Sequence, residues 1–214
     1  MPLSLIVFDC DGVILESVEA KTRAFARIGE GYGREAASRL VEYHLRHGGV
    51  SRFEKFIWLF EQVLRRTISE AELAELGVRF AEYCLDEVNR SDFVSGIMEV
   101  LERWKGVVPM WVASGTPQRE LEEVLAARGL VQYFTGICGT PPGKADLLRG
   151  ILKKTGARPS ETVMVGDSGT DQYAAEAVRC LFYGRGEYFR HSDYPWHTDL
   201  TRLNDYFEEL YQAP

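Results

Sequence analysis

Two carboxylates, Asp9 and Asp11, stand one residue apart directly after a short apolar run, Leu3 to Phe8, and Gly12 follows them. A run of this kind predicts a central strand that is buried on both faces. Side chains at positions i and i+2 of an extended chain point the same way, so both carboxylates are expected to face one pocket. Their mutual repulsion, which burial increases, requires a cation or a shared proton. Because Asp and Gly are also common turn residues, an acidic turn explains this stretch alone equally well.

A hydroxyl and a lysine follow at two later points of the chain. Ser114 and Gly115 come after an apolar run that ends at Ala113, and a helix follows them. A hydroxyl and free backbone N–H groups at a helix N-terminus form an anion site, although simple capping also explains them. Lys144 opens another helix, where the helix dipole disfavours a positive charge. This position indicates a role such as binding a phosphate. The common alternative is a solvated surface lysine.

Two more acids, Asp167 and Asp171, follow the predicted strand 161–166. Together with Asp9 and Asp11 they gather four carboxylates at the edge of a sheet where open α/β folds bind ligands. Their repulsion requires a hard cation, and a ligand set made only of oxygen atoms favours Mg²⁺. Capping explains each segment singly, but one shared site explains all of them together.

The combination predicts phosphoryl transfer. Asp9 is predicted to be a nucleophile that forms an aspartyl-phosphate, and Asp11 a general acid and base. Mg²⁺, held by Asp9, the backbone carbonyl of Asp11 and Asp167, would neutralise the charge of the phosphate. Ser114, the neighbouring N–H groups and Lys144 are expected to bind the transferring oxygens.

Composition limits the other classes of function. The 214 residues include 45% hydrophobic and 27% charged residues, which fits a globular protein. The net charge of −7 argues against a nucleic-acid surface or an anionic membrane patch as the partner. No apolar run reaches transmembrane length and no basic leader precedes the first strand, so we expect a cytoplasmic protein. The four cysteines are widely scattered, which predicts neither disulfides nor a zinc site.

The elements that must position these residues alternate between strand and helix. Residues 16–91 contain only helical patterns, with Ser51 and Ser69 as N-cap candidates and Glu72 completing a capping box. Strands are predicted at 107–113, 136–139, 161–166 and 180–183, with a last helix at 200–211. The sequence therefore predicts a doubly wound α/β core, residues 1–15 and 92–214, with a parallel sheet and an inserted all-helical cap domain, residues 16–91.

Four motifs in this order resemble those of the haloacid dehalogenase superfamily of phosphohydrolases. They are Asp9-Cys-Asp11-Gly-Val, Ser114, Lys144 and Gly166-Asp-Ser-Gly-Thr-Asp171, and the inserted helices resemble the cap of its phosphoglycolate phosphatase and β-phosphoglucomutase-like branch. The resemblance implies a Rossmann-like core, dependence on Mg²⁺ and the roles given above. It also implies that Asp171 supports the metal site or orders Lys144. Val13 and Glu16 depart from the family's more usual Thr and Asp.

The inserted segment is where the resemblance locates substrate choice. Gly49-Val-Ser-Arg52 resembles the specificity loop of the β-phosphoglucomutase-like proteins. Arg52, on a glycine-hinged loop, is a candidate to clamp an anionic substrate, and Lys55 is a weaker one. Lys21, on the first helix after the opening motif, is a third candidate. A solvent-exposed helix start is the alternative for the first two and a surface lysine for the third.

These observations favour a Mg²⁺-dependent phosphatase acting on a small phosphorylated metabolite. A phosphomutase is the alternative, supported by the Gly-Val-Ser-Arg loop and opposed by Gly166-Asp-Ser and Lys21, where the mutases commonly have paired acids and His. A dehalogenase is disfavoured because those enzymes lack an acid at the position of Asp11. A receiver-like signalling domain also gathers acids, a hydroxyl and a lysine around Mg²⁺, but the helical insert argues against it. The substrate and the oligomeric state stay open.

Overall fold

A six-stranded parallel sheet forms the centre of the protein, which a computed structural model describes over residues 2–212. Along the sheet the order is β3-β2-β1-β4-β5-β6, so the direction of winding reverses beside β1. The strands are β1 (Leu5–Phe8), β2 (Met110–Pro117), β3 (Gly136–Thr140), β4 (Thr162–Gly166), β5 (Leu181–Arg185) and β6 (Trp196–His197). The reversal places the carboxyl ends of β1 and β4 side by side, at the point where such sheets bind ligands.

Alternate residues of β1 pack into two separate cores. Ile6 and Phe8 belong to the larger hydrophobic cluster, whereas Leu5 and Val7 join Trp111 on the opposite face. All four β1 residues have no solvent-accessible surface, and each such side chain contributes roughly 1.5–3 kcal/mol when buried. The predicted burial on both faces is therefore correct, and the fold is a Rossmann-like, doubly wound α/β fold.

Helices cover the sheet and form the segment between β1 and β2. In chain order they are α1 (Val18–Glu30), α2 (Arg34–Arg46), α3 (Arg52–Trp58), α4 (Glu70–Arg90), α5 (Ile97–Trp104), α6 (Gln118–Ala127), α7 (Lys144–Thr155), α8 (Gly169–Val178) and α9 (Leu203–Gln212). The segment from α1 to α4 contains no strand, and Phe25, Phe56 and Phe80 pack together inside it. Its two ends lie together, because the Glu16 N–H donates to the Asp92 carbonyl at 2.9 Å.

The predicted caps form in this segment. The Ser51 hydroxyl accepts the Phe53 N–H at the start of α3, and Ser69 and Glu72 form the capping box of α4. A π-helical turn at Leu59–Val63 continues α3, where the sequence predicts one unbroken helix. Within residues 2–212, no helix has the length and apolar character needed to cross a membrane.

The structure differs from the predicted elements most clearly in β2, in the additional strand β6 and at the start of the last helix. β2 begins at Met110 instead of residue 107, since Pro109 has no N–H to donate and joins the sheet only through its carbonyl, which accepts from Ile6. It also extends through Ser114 to Pro117, so this hydroxyl belongs to the strand end and not to a helix cap. β6 was not predicted, because its two residues show no alternation. The last helix begins at Leu203 and not at residue 200.

Candidate active site

Three acids converge at the carboxyl ends of β1 and β4. Oxygen atoms of Asp9, Asp167 and Asp171 lie within 4.8 Å of one another. The Asp9 N–H donates to the Val165 carbonyl at 3.0 Å, which fixes the end of β1 against β4. Gly12 adopts a left-handed conformation with φ of +75°, and a Cβ atom there would collide with the Asp167 carboxylate. Glycine at this position therefore allows the opening motif to approach the second acidic loop closely.

Lys144 joins two of these acids. Its Nζ lies 2.9 Å from an Asp9 carboxylate oxygen and forms a second ion pair with Asp171. The other Asp171 oxygen accepts the Ser168 N–H at 3.1 Å and the Ser168 hydroxyl at 2.5 Å. Asp171 thus completes the capping box of α8 and also forms an ion pair with Lys144. The buried ion pairs stabilise the ammonium against the dipole of α7 and raise the pKa of Lys144 far above its usual range.

The negative charge of these acids exceeds the positive charge of the basic side chain that contacts them. Burial raises the pKa of Asp9 to about 7, although the Lys144 ammonium opposes this shift. Burial, together with repulsion from Asp171 and Asp9, raises the pKa of Asp167 well above its usual range. A divalent cation would remove this repulsion, and an oxygen-only donor set fits Mg²⁺. Among the described residues the Asp167 carboxylate accepts no hydrogen bond, whereas both oxygens of Asp9 and both oxygens of Asp171 already accept one, so Asp167 has the most capacity left to bind a metal ion.

Asp11 occupies a different electrostatic environment. Its carboxylate accepts the Ser17 hydroxyl at 2.5 Å and the Thr116 hydroxyl at 3.1 Å, and it forms an ion pair with Lys21. Burial alone would raise the pKa of Asp11, but the Lys21 ammonium and these hydrogen bonds outweigh it and lower the pKa to about 2. The surroundings of Asp9 therefore favour its protonated form, whereas those of Asp11 favour its ionised form. Acid and base pairs in active sites often differ in this way.

The end of β2 contributes backbone and hydroxyl groups to the same place. Gly115 and Thr116 line the cavity beside the acids, whereas Ser114 is fully buried and its hydroxyl accepts the Thr116 N–H at 3.2 Å. The pairing of β2 with β3 is irregular between Ala113 and Pro117, which frees these residues from the regular ladder. From the sequence, Thr116 has no role beyond capping; its position two residues after Ser114 on an extended strand end is the signal that points to it.

A cavity of about 200 Å³ separates the acids from the helical segment. Asp9, Asp11 and Asp167 line one part of it. The helical segment contributes the side chains of Lys21, Phe25, His44, Arg52, Lys55 and Phe80. All three cationic residues that the sequence suggests for substrate binding are therefore cavity residues.

Two glycines bring the loop before α3 against the core. The Thr170 hydroxyl donates to the Gly48 carbonyl, and a Cβ atom on Gly115 would collide with the Gly49 carbonyl. The helical segment and the sheet are thus in contact at the mouth of the cavity, and the cavity is closed over the acids on that side.

Arg52 and Lys55 are both buried, with different partners. Arg52 forms an ion pair of 2.6 Å with Glu120 on α6 and lies over the Phe80 ring, 4.5 Å from its centroid. Lys55 has its Nζ 2.9 Å from Nδ1 of His44 and no carboxylate partner among the described residues. The sequence indicates no role for Glu120 or His44, because neither lies in a motif and both act through residues distant in the chain.

Comparison with known proteins agrees with this arrangement. The family model described as haloacid dehalogenase-like hydrolase matches residues 3–179. Phosphoglycolate phosphatase 1 of Pseudomonas aeruginosa is 28% identical over 201 residues, covering 84% of this chain and 70% of the relative. Phosphorylated carbohydrates phosphatase of Thermotoga maritima is 27% identical over 189 residues, covering 82% of each chain.

Solved structures share the whole fold. The β-phosphoglucomutase of Clostridium difficile superposes with a TM-score of 0.82 at 20% identity, over 99% of this chain and 97% of that one. A predicted phosphoglycolate phosphatase of Haemophilus somnus gives a TM-score of 0.73 at 20% identity, over 95% and 97%. At these identities the likeness concerns the fold, and it confirms the predicted α/β architecture. The family match confirms the predicted enzyme class, and the chain belongs to the haloacid dehalogenase-like hydrolases.

Proposed function

We propose that the protein is a Mg²⁺-dependent phosphatase that hydrolyses a small phosphorylated metabolite in the cytoplasm. One observation carries the proposal: Asp9 and Asp11 face one cavity but sit in opposite environments, the first beside Lys144 and Asp167, the second held by Lys21. This division suits a nucleophile and a separate acid and base.

In the proposed reaction, an Asp9 oxygen attacks the phosphorus, and the bond from phosphorus to the leaving oxygen breaks. Asp11 gives a proton to that oxygen, and the alcohol leaves. Asp11 then takes a proton from a water molecule, which attacks the phosphorus of the aspartyl-phosphate. The bond from phosphorus to the Asp9 oxygen breaks, so inorganic phosphate is released and Asp9 is a carboxylate again. Bound Mg²⁺, held by Asp9, Asp167 and the backbone carbonyl of Asp11, would neutralise the charge of the phosphoryl group.

The ionised state of Asp11 matches the second half of this reaction. With its pKa lowered to about 2, Asp11 is a carboxylate before substrate arrives, which is the form that activates water. The charge of a bound phosphate beside it would raise the pKa and favour the acid form needed in the first half. Lys144, Ser114 and the backbone N–H groups near Gly115 are proposed to bind the transferring oxygens.

We assign substrate choice to the helical segment, residues 16–91, as a cap on the core formed by residues 1–15 and 92–214. The cavity of about 200 Å³ suits a small substrate, and Lys21, Arg52 and Lys55 are among the basic residues that line it. The names of the relatives, phosphoglycolate phosphatase and phosphorylated carbohydrates phosphatase, agree with a substrate of this size.

A phosphomutase is the second candidate. The Gly49-Val-Ser-Arg52 loop favours it, since Gly49 and Arg52 both line the cavity. Incubation with sugar monophosphates separates the two: release of inorganic phosphate supports hydrolysis, and formation of an isomeric sugar phosphate without release supports transfer.

The phosphatase is tested with p-nitrophenyl phosphate. We expect Mg²⁺-dependent release of p-nitrophenol, abolished by a chelator and reduced by ~10³-fold or more in Asp9→Asn. Asp146→Asn, the same chemical change in an exposed ion pair of α7 with Arg149, serves as the control and should retain full activity. Activity that persists in Asp9→Asn, or that needs no metal, would contradict the mechanism.

A further inference from the structure

In the part of the chain that the structure describes, five basic side chains line the cavity or contact its acids, and four of them have carboxylate partners. The paired ones are Lys144 with Asp9 and Asp171, Lys21 with Asp11, Arg52 with Glu120, and Arg46 with Glu42. Within residues 2–212, Lys55 has no such partner, although only 2% of its surface is exposed. A buried ammonium without a counter-ion is energetically unfavourable, so a lysine at this position indicates a function that requires its charge.

The hydrogen bonds around Lys55 fix how it is held. The Thr22 hydroxyl donates to the Val18 carbonyl at 2.8 Å, so its oxygen is left to accept the N–H of His44 Nε2 at 3.1 Å. Nδ1 of His44 then carries a lone pair and accepts a hydrogen bond from Lys55 at 2.9 Å. Burial and the nearby Lys55 lower the pKa of His44 to about 3, so the ring stays neutral. A neutral acceptor orients Lys55 without neutralising its charge.

We propose that Lys55 determines specificity by binding a second anionic group of the substrate, and that His44 is the residue that positions it. The inference rests on the proposed phosphatase function, in which the first anionic group, the phosphoryl group, lies at Asp9. Asp9 and Lys55 line the same cavity, so one substrate can contact both residues. A carboxylate or a second phosphate at Lys55 would supply the missing counter-ion, whereas an uncharged substrate end would leave the ammonium unpaired.

The charges that face Lys55 add a dependence on pH. Burial is the main cause that lowers its pKa to about 7, with repulsion from Lys21 and Lys144 opposed by attraction from Asp11 and Asp167. Arg52, on the same helix, is already paired with Glu120. Above pH 7 the free amine must therefore take up a proton when an anionic group binds. Affinity for the second anionic group is expected to fall as the pH rises above about 7.

The test compares substrates that differ by one charge. In the first series, phosphoryloxy-carboxylic acids of two to four carbons are compared with their primary amides. In the second series, the terminal bisphosphates of diols of two to four carbons are compared with the monophosphates of the same diols. We expect the kcat/KM ratio of charged to uncharged partner to be about 10- to 100-fold near pH 6.5 in the natural protein, in one or both series, and to fall at pH 8.5. The series with the larger ratio identifies the anionic group.

Three variants assign the effect to these residues. Lys55→Met should bring the ratio close to one. His44→Leu should lower it mainly through KM of the charged substrate, and His44→Asn, whose side-chain oxygen replaces Nδ1 as acceptor, should restore part of it. Arg46→Met, which removes a paired and exposed cation of the same cavity, should leave the ratio unchanged. Because each ratio compares two substrates on one enzyme, a loss of folded protein cancels.

Two results are distinguishable failures. If p-nitrophenyl phosphate is hydrolysed but no charged substrate is preferred, or if Lys55→Met keeps the preference, the role of Lys55 is overturned and the phosphatase stands. If no phosphate is released from p-nitrophenyl phosphate, the proposed function is overturned and this inference with it.

Discussion

Arg52 of α3 and Glu120 of α6 form an ion pair of 2.6 Å that links the helical segment to the sheet-covering helices. The side chains are only 5% and 18% exposed, so water screens their attraction weakly. Breaking such a pair leaves one charge buried without a partner, which costs more than the pair itself contributes. The pair therefore contributes to holding α3 against α6.

A double-mutant cycle tests this link. Arg52→Ala and Glu120→Ala should each lower the free energy of unfolding by about 1–3 kcal/mol, and the double variant should lose about 1–3 kcal/mol less than their sum. Urea unfolding measures all four proteins. The exposed pair Arg119–Glu123 on the same helix α6 is the control, and its coupling should stay below about 0.5 kcal/mol. Equal coupling in the two cycles would contradict a special role for Arg52 and Glu120.

Lys21 should set the acid limb of the pH–rate profile through Asp11. Removing the ammonium in Lys21→Met takes away the main influence that lowers the pKa of Asp11, so this pKa should rise by about 1–3 units. Because the ionised form activates water in the second half of the reaction, the fall of kcat on the acid side should begin at a correspondingly higher pH. Profiles from pH 3 to 8 with p-nitrophenyl phosphate measure it.

The exposed Lys153→Met, at the last turn of α7, provides the control for this profile. An acid limb that stays in place in Lys21→Met, while activity is measurable, would mean that Asp11 is not the group that titrates there.

Mg²⁺ should stabilise the protein increasingly as the pH rises from 4 to 7. Asp9 has its pKa raised from 3.8 to about 7, and Asp167 also has a raised pKa, so these two acids bind more protons in the metal-free folded protein than in the unfolded chain in this window. Their contribution to stability must then fall with rising pH, whereas His44, whose pKa is lowered to about 3, contributes in the opposite direction. Mg²⁺ competes with those protons, and at 100 times its dissociation constant it adds about 2.7 kcal/mol.

Thermal unfolding with and without Mg²⁺ measures this effect, at about 2–4 °C for each kcal/mol in a protein of this size. Li⁺ or Na⁺ at equal ionic strength controls for general screening. If the difference in melting temperature between the protein with Mg²⁺ and the metal-free protein shrinks as the pH rises from 4 to 7, the assignment of these acids to the metal is contradicted.

Lys55→Met should increase the free energy of unfolding, because the buried charge of Lys55 destabilises the folded protein. Burial lowers the pKa of Lys55 from 10.5 to about 7, so its charged form destabilises the folded state at pH values below 7. Between pH 7 and 10.5 the unfolded chain binds the extra proton, and this cost declines as the pH rises. The variant should therefore gain about 1–4 kcal/mol at pH 6 and much less near pH 10, measured by urea unfolding. A loss of stability at pH 6 would show that Lys55 is paired in the folded state.

The chemistry-bearing residues could be predicted from the sequence because each directly follows a strand or begins a helix. Asp9, Asp167 and Lys144 are positioned by elements whose own pattern is clear, and parallel strands bring their carboxyl ends together. Lys144 illustrates this: an unfavourable charge at a helix N-terminus predicts a role such as binding a phosphate, and the structure places the ammonium beside Asp9 and Asp171. Those roles in catalysis stay predictions until they are measured.

The contacts made by the helical segment could not be predicted in the same way. Glu120 lies 68 residues from Arg52, and its position on α6 looks like that of any exposed acid. His44 pairs with Lys55 only because α2 and α3 meet at that point, and no spacing in the sequence encodes their angle. Side-chain partners across packed helices depend on tertiary geometry, which local periodicity does not determine.

The position of β1 between β2 and β4 has a consequence for the newly made chain. Leu5 pairs with Thr162, so β1, which directly precedes Asp9, gains this partner only after about 150 further residues have been synthesised. At ribosomal speeds this delay is on the order of ten to thirty seconds. During that time one edge of an entirely apolar strand is unprotected, and the acids of the second loop do not yet exist. The acidic cluster can therefore assemble only after the helical segment, β2 and β3 have all been synthesised.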